Sequence, residues 1–169
     1  MSAKIHRERK ISGLIHTILF AIVTAIILLF SGFSGEISSS QSGFVVNVLN
    51  AILRFFGIIL NETQLETFAF FVRKFIGHFL IFVLDGLFAY LAIQKMFQLK
   101  QIWLMILIAL FVTFLVAASS EVIQLFASGR SGNWLDVGID LSGSIVGVAV
   151  AVFITWPIKE KTENFSASS

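Results

Sequence analysis

The feature that most constrains this chain is a set of long apolar runs. Four stretches, 11–33, 67–93, 102–126 and 134–156, are each apolar over more than about 20 residues, the length at which an α-helix rising about 1.5 Å per residue crosses a hydrocarbon core of about 30 Å. Composition points the same way. The 169 residues are 57% hydrophobic and 13% charged, with 19 phenylalanines and a single proline, whereas a soluble domain carries about 25% charged residues. The sequence predicts an all-α, polytopic membrane helical bundle in one domain, with four transmembrane helices and one interfacial amphipathic helix.

The ends of the runs give the organisation. Lys4, Arg7, Arg9 and Lys10 form a basic N-terminus (1–10) ahead of the first run. That order resembles a signal peptide, but the run is longer than the roughly 7–15 residues of a signal core and reads as a retained first span, with cleavage near Ser34 as the alternative. "SGEISSSQSG" (34–43) is small and polar and reads as a loop. In the next segment, 44–60, Asn47, Asn50, Arg54 and Gly57 fall on one helical stripe. A central arginine in a span costs roughly 2.5–3.5 kcal/mol, so a helix lying on the membrane is expected there, and a fifth short span is the other reading. "QKMFQLKQ" (94–101) joins the second and third spans, "ASGRSGN" (127–133) is a turn, and 157–169 is a polar tail. With four spans, eight of the twelve Lys and Arg fall on the side of the termini. The positive-inside rule then places both termini in the cytoplasm of a multi-pass cell-membrane protein.

Ionisable groups gather at the opposite ends of three spans. Lys74 and His78 lie near the start of the second, with Asp85 deeper at a spacing that puts all three on one helical face. Glu121 and Gln124 lie one turn apart at the end of the third. Arg130 occupies the turn, and Asp136, Asp140, Gly143, Ser144 and Gly147 share a face of the fourth. Charged groups at membrane depth are rare, face the bundle interior and mark functional sites by default. Each also has a plainer reading. Arg73 and Lys74 can snorkel to headgroups, and Glu121 can pair with Arg130 to staple the turn. Asp136 can cap the helix that starts beside it, and the small-residue pair Gly143 and Gly147 permits close helix packing. Asp85 stands alone near the bilayer centre and needs a partner, which nothing in the sequence supplies; His16 and Thr17 lie toward the other face. Cysteine is absent, as are phosphate-loop, HExxH and GxSxG motifs, and no metal or other cofactor is expected. "NET" (61–63) and "NFS" (164–166) match the glycosylation sequon only as short motifs.

"RKFIGHFLIF" followed by "SSEVIQLFASGRSGNWLDVGIDLSGSIVG" resembles the VanZ-like membrane proteins of bacteria. The resemblance runs from about residue 70 to 155 and implies that Lys74, His78, Glu121, Gln124, Arg130, Asp136, Asp140, Gly143 and Gly147 match the family's polar and glycine positions. Two positions depart: Asp140 stands where the family usually has asparagine, and Phe82 where a hydroxyl-bearing aromatic is common. The family's name comes from a protein linked to low-level resistance to the lipoglycopeptide teicoplanin.

Three functions are open on this reading. In the first, an extracytoplasmic pocket of Lys74, His78, Glu121, Gln124, Arg130, Asp136 and Asp140 binds an anionic lipid-linked or glycopeptide-like molecule, with Arg130 on the anionic group. In the second, a membrane-embedded enzyme acts on a lipid or lipid-linked sugar, with His78, Glu121 and Asp136 as catalytic groups. In the third, the charges form a hydrogen-bonded network that fixes the bundle. Membrane lipids are the expected partners; nucleic acid is not.

Overall fold

The computed structural model describes residues 2–97 and 101–167, and every element in them is helical. Helix α1 is Ser2–Ser31, α2 is Gly35–Phe55, α3 is Glu62–Phe97, α4 is Ile102–Phe126 and α5 is Trp134–Ala167. Residues 98–100 of the expected connection, Met1 of the basic N-terminus and 168–169 of the expected tail lie outside the described residues. Among the described residues, four helices are long and apolar enough to span a membrane: Lys10–Ser31, Glu62–Phe97, Ile102–Phe126 and Trp134–Thr155. The chain is the all-α bundle that its apolar runs predict.

Besides α1 starting at Ser2 and α3 outrunning 67–93 at both ends, into the expected 94–101 connection, three boundaries differ from the sequence expectation. The loop expected at 34–43 is helical. Ser34 caps α2 by accepting from the Ile37 N–H, and the helix continues through the serines to Phe55. Serine is a weak helix former that competes for backbone hydrogen bonds, yet here Ser42 bonds back to the Ser38 carbonyl within the helix. The expected helix over 44–60 also ends early. Gly57 adopts φ +81°, its N–H donates to the Arg54 carbonyl and the Ile58 N–H donates to that of Leu53. That bond pair is a Schellman termination, so Gly57 closes the helix instead of continuing its stripe. Finally, α5 runs on past Pro157 to Ala167, through a Lys- and Glu-rich stretch of good helix formers.

Helix α3 is the organising element. Asn61 and Gln64 cap it reciprocally, each side chain accepting from the other's backbone N–H, which gives the "NET" asparagine a structural role. From Arg73 to Leu80 the helix widens to a π-helical segment before returning to α geometry at Ile81. Such segments are uncommon and concentrate at functional sites. Phe71, Phe75 and Phe79 stack along one edge of it, with ring centroids 5.4 and 5.2 Å apart.

Below that segment α3 packs between α1 and α5. Gly86 lies against the Ser144 backbone, Gly143 against the Phe79 carbonyl and Gly147 against the Val83 carbonyl, so the α3 and α5 backbones touch with no side chain between them. Lipid is as apolar as leucine and gives helices no hydrophobic reason to associate, and this close small-residue contact takes its place. One core cluster follows, built on Ala89, Tyr90, Met105, Ala109 and Ala151, with a second of Val23, Ile27, Phe82, Ala117 and Val137 nearer the polar end. Leu29, Phe111, Phe126 and Phe153 face outward.

Gly147→Leu is expected to destabilise the folded bundle by at least the roughly 1–3 kcal/mol of an overpacked core, because its first side-chain atom meets backbone. Gly138→Ala, where a methyl meets open space, is expected to be neutral or mildly stabilising. Thermal unfolding in detergent, read by circular dichroism, compares the two; equal effects would contradict the packing.

Candidate functional site

The close α3–α5 contact sets two side-chain pairs. Lys74 and His78, one turn apart on the π segment, face Asp136 and Asp140, one turn apart on α5. The Lys74 ammonium bonds Asp136 Oδ1, and His78 Nδ1 lies 3.0 Å from Asp140 Oδ1. Lys74 also sits over the Phe70 ring, 5.7 Å from its centroid, a cation–π distance. Asp140 is wholly buried and its Oδ2 has no hydrogen-bond partner.

A second group crosses from α4 to the turn. Gln124 donates from Nε2 to Glu121 Oε1 at 2.7 Å, and its own Oε1 accepts from the Arg130 guanidinium at 2.8 Å. Glu121 Oε2 accepts the Asn133 N–H at 2.7 Å. The same guanidinium donates to the Phe30 carbonyl (3.2 Å) and to Ser38 Oγ (3.1 Å). Arg130 thus ties the end of α1, the start of α2 and the end of α4 into one corner. Gly129 makes the turn possible at φ +70°, a conformation open to glycine, and the Gly35 N–H donates to the Ser128 carbonyl alongside it. Burial lowers the Arg130 pKa and Glu121 opposes the shift; an arginine in this setting remains cationic at neutral pH.

These bonds bear on three of the plainer readings. Glu121 and Arg130 are not a direct ion pair; the Gln124 amide stands between them and serves both. Asn133 is the side-chain cap of α5, accepting the Leu135 N–H at 3.0 Å, while Asp136 stands in the first turn, at the positive end of the dipole. Asp85, which the sequence leaves without a partner, has one on α1, where Thr24 donates to its Oδ1 at 2.9 Å. His16 and Thr17 bond backbone carbonyls of their own helix.

Between these groups lies a cavity of about 310 Å³. Ile26, Ile27, Phe30, Val45, Val72, Ile81 and Phe82 form its apolar walls, and Arg73, His78, Gln124, Arg130 and the α2 residues Ser38, Gln41 and Ser42 supply its polar lining. Of the residues singled out from sequence, His78, Gln124 and Arg130 reach the cavity. Lys74, Glu121, Asp136 and Asp140 are not part of its lining: Glu121 and Asp140 bond Gln124 and His78 respectively, while Lys74 and Asp136 pair with each other. Arg73, read from sequence as a snorkelling residue, lines the cavity, and the α2 residues are the ones that sequence reasoning missed. Ser38, Gln41 and Ser42 carried a signal, since their spacing is that of one helical face.

Removing the bridging amide tests this arrangement. Gln124→Leu leaves the buried Glu121 oxygen and one Arg130 donor unsatisfied, and a loss of about 1–3 kcal/mol of stability is expected. Thermal unfolding in detergent checks it, and an unchanged midpoint would sink the relay.

A family model described as VanZ/LLP1 matches residues 16–155. Searches of curated proteins and of solved structures found no match. The chain belongs to the VanZ/LLP1 family.

Proposed function

We propose that this VanZ/LLP1 member binds an anionic amphiphile, lipid-linked or glycopeptide-like, in the cavity at the polar end of its bundle. The observation that carries the reading is the pairing of chemistries within that cavity. Its walls are largely aliphatic and aromatic, while Arg73 and Arg130 both belong to its polar lining. Neither guanidinium is in a salt bridge with a carboxylate among the described residues. Two such cations beside an apolar slot fit a phosphate or carboxylate headgroup with an acyl or prenyl tail. The Lys and Arg distribution favours the extracytoplasmic side for this end, where lipid-linked envelope precursors and glycopeptides are found together with outer-leaflet lipids.

An enzyme acting on such a lipid is the second reading, and one observation favours it. Asp140 engages His78 Nδ1, which leaves Nε2 of a cavity-lining imidazole free for proton transfer. A purely structural network accounts for Glu121, Asp136 and the corner that Arg130 ties, but it assigns no role to Arg73 at the cavity.

Replacing Arg130 or Arg73 by alanine is expected to weaken binding of an anionic phospholipid about tenfold or more, as the loss of a charged hydrogen bond of about 1.5–3 kcal/mol implies. Native mass spectrometry of the chain with defined phosphatidylglycerol and phosphatidylcholine mixtures measures it. Equal retention of both lipids by the parent chain would overturn the proposal. For the teicoplanin link, deletion of the gene in its host is expected to lower the inhibitory concentration of that antibiotic; an unchanged value removes it.

A further inference from the structure

We infer that His78, Glu121 and Asp136 form a binding site for a single divalent transition-metal ion of the zinc class. One donor atom from each residue can be chosen so that all three lie within 4.8 Å of one another. Donors around a tetrahedral ion with bonds of about 2.0–2.2 Å stand about 3.5 Å apart, so modest side-chain rotations close the set. The residues come from α3, α4 and α5, and the backbone contact of α3 with α5 already holds two of them in register.

The imidazole is oriented as metal-bound histidines are. Its Nδ1 is engaged by Asp140 Oδ1 at 3.0 Å, which leaves Nε2 as the donor. A carboxylate behind a ligating histidine fixes its tautomer and raises its basicity.

Charge supplies an independent reason. Glu121 is only 6% exposed, and its hydrogen-bond partners, the Gln124 amide and the Asn133 N–H, are neutral. Asp140 Oδ2 is buried and unpartnered beside it. Buried carboxylates without a bonded cation are costly, and a divalent ion at this point compensates them. Lys74 occupies one oxygen of Asp136, yet an ionised carboxylate has about four acceptor sites, so lone pairs remain on both acids. One imidazole and two carboxylates, with no thiolate, match zinc, with manganese and iron as related ions. His78 also lines the cavity, so the inferred site adjoins that space.

The inference does not rest on the amphiphile reading, since metal binding is measured without added lipid and either can fail alone. The test uses the tag-free full-length chain in detergent, incubated with zinc chloride, desalted and assayed by inductively coupled plasma mass spectrometry. One zinc per chain and a raised unfolding midpoint are expected. Glu121→Gln and Asp136→Asn should lose the metal, and Asp140→Asn should weaken it about 10–100-fold. A desalted parent chain without zinc overturns the site, as does an unchanged zinc content in both carboxylate variants. Should those variants fail to fold, cobalt(II) bound to the parent decides. The intense visible absorption of a four- or five-coordinate ion, displaced by zinc, is expected, and the pale spectrum of the hydrated ion overturns the assignment.

Discussion

The backbone contact between α3 and α5 is the constraint on which the rest of this structure depends. Gly86, Gly143 and Gly147 remove the side chains that would hold two helices apart. In lipid, where apolar side chains gain little by touching one another, that loss of bulk is what lets dispersion contacts accumulate. The contact also fixes rotation and height. Once Gly147 is seated on the Val83 carbonyl and Gly143 on that of Phe79, Asp140 and Asp136 stand opposite His78 and Lys74, and their pairing follows from the register. The polar site is in this sense a consequence of the apolar packing beneath it.

Its position solves the problem that buried charge poses in a membrane. Glu121, Arg130 and Asp136 lie at helix ends and in a turn, where backbone N–H groups and carbonyls are free to bond them. Asn133 N–H and the Phe30 carbonyl are two such groups. Asp140 and Asp85 go deeper, and each is met by a polar side chain from a neighbouring helix. A single amide, Gln124, satisfies an anion with its nitrogen and a cation with its oxygen, so Glu121 and Arg130 share one neutral intermediary. A direct ion pair would have drawn the guanidinium toward α4. With the amide between them, Arg130 instead reaches α1 and α2 and lines the cavity.

Much of this was legible before the structure. The four spans were, because about 20 apolar residues in a row have few alternatives to crossing a bilayer, and Lys74, His78, Glu121, Arg130 and Asp136 stood out against them. The shared face of Asp136, Asp140, Gly143, Ser144 and Gly147 follows from helical spacing alone, and all five contact or oppose α3. What stayed hidden has physical causes. The helix over the serines of 35–42 is held by a cap and by its contact with the Gly129 turn, neither of which composition reports. The partner of Asp85 stayed hidden because Thr24 comes from another helix and reaches it only once α1 packs on α3. An amide bridge between two charges leaves no mark in a sequence that shows only the charges.

The departure at Asp140 bears on what the site does. An asparagine there, as the resemblance leads one to expect, offers an oxygen to His78 Nδ1 and places an amide N–H₂ where Asp140 has its second oxygen. That amide is a donor, so it needs an acceptor and leaves the imidazole weakly perturbed. The aspartate makes the same bond to the ring but adds a negative charge to a pocket already holding Glu121 and Asp136, with Lys74 the cation bonded directly among the three. A bundle selected only for stability gains little from that exchange, since a buried unpartnered oxygen is a penalty. The exchange makes sense where a cation is to be held beside His78, as in the site inferred above. That role would use Nε2, the ring nitrogen that Asp140 does not engage.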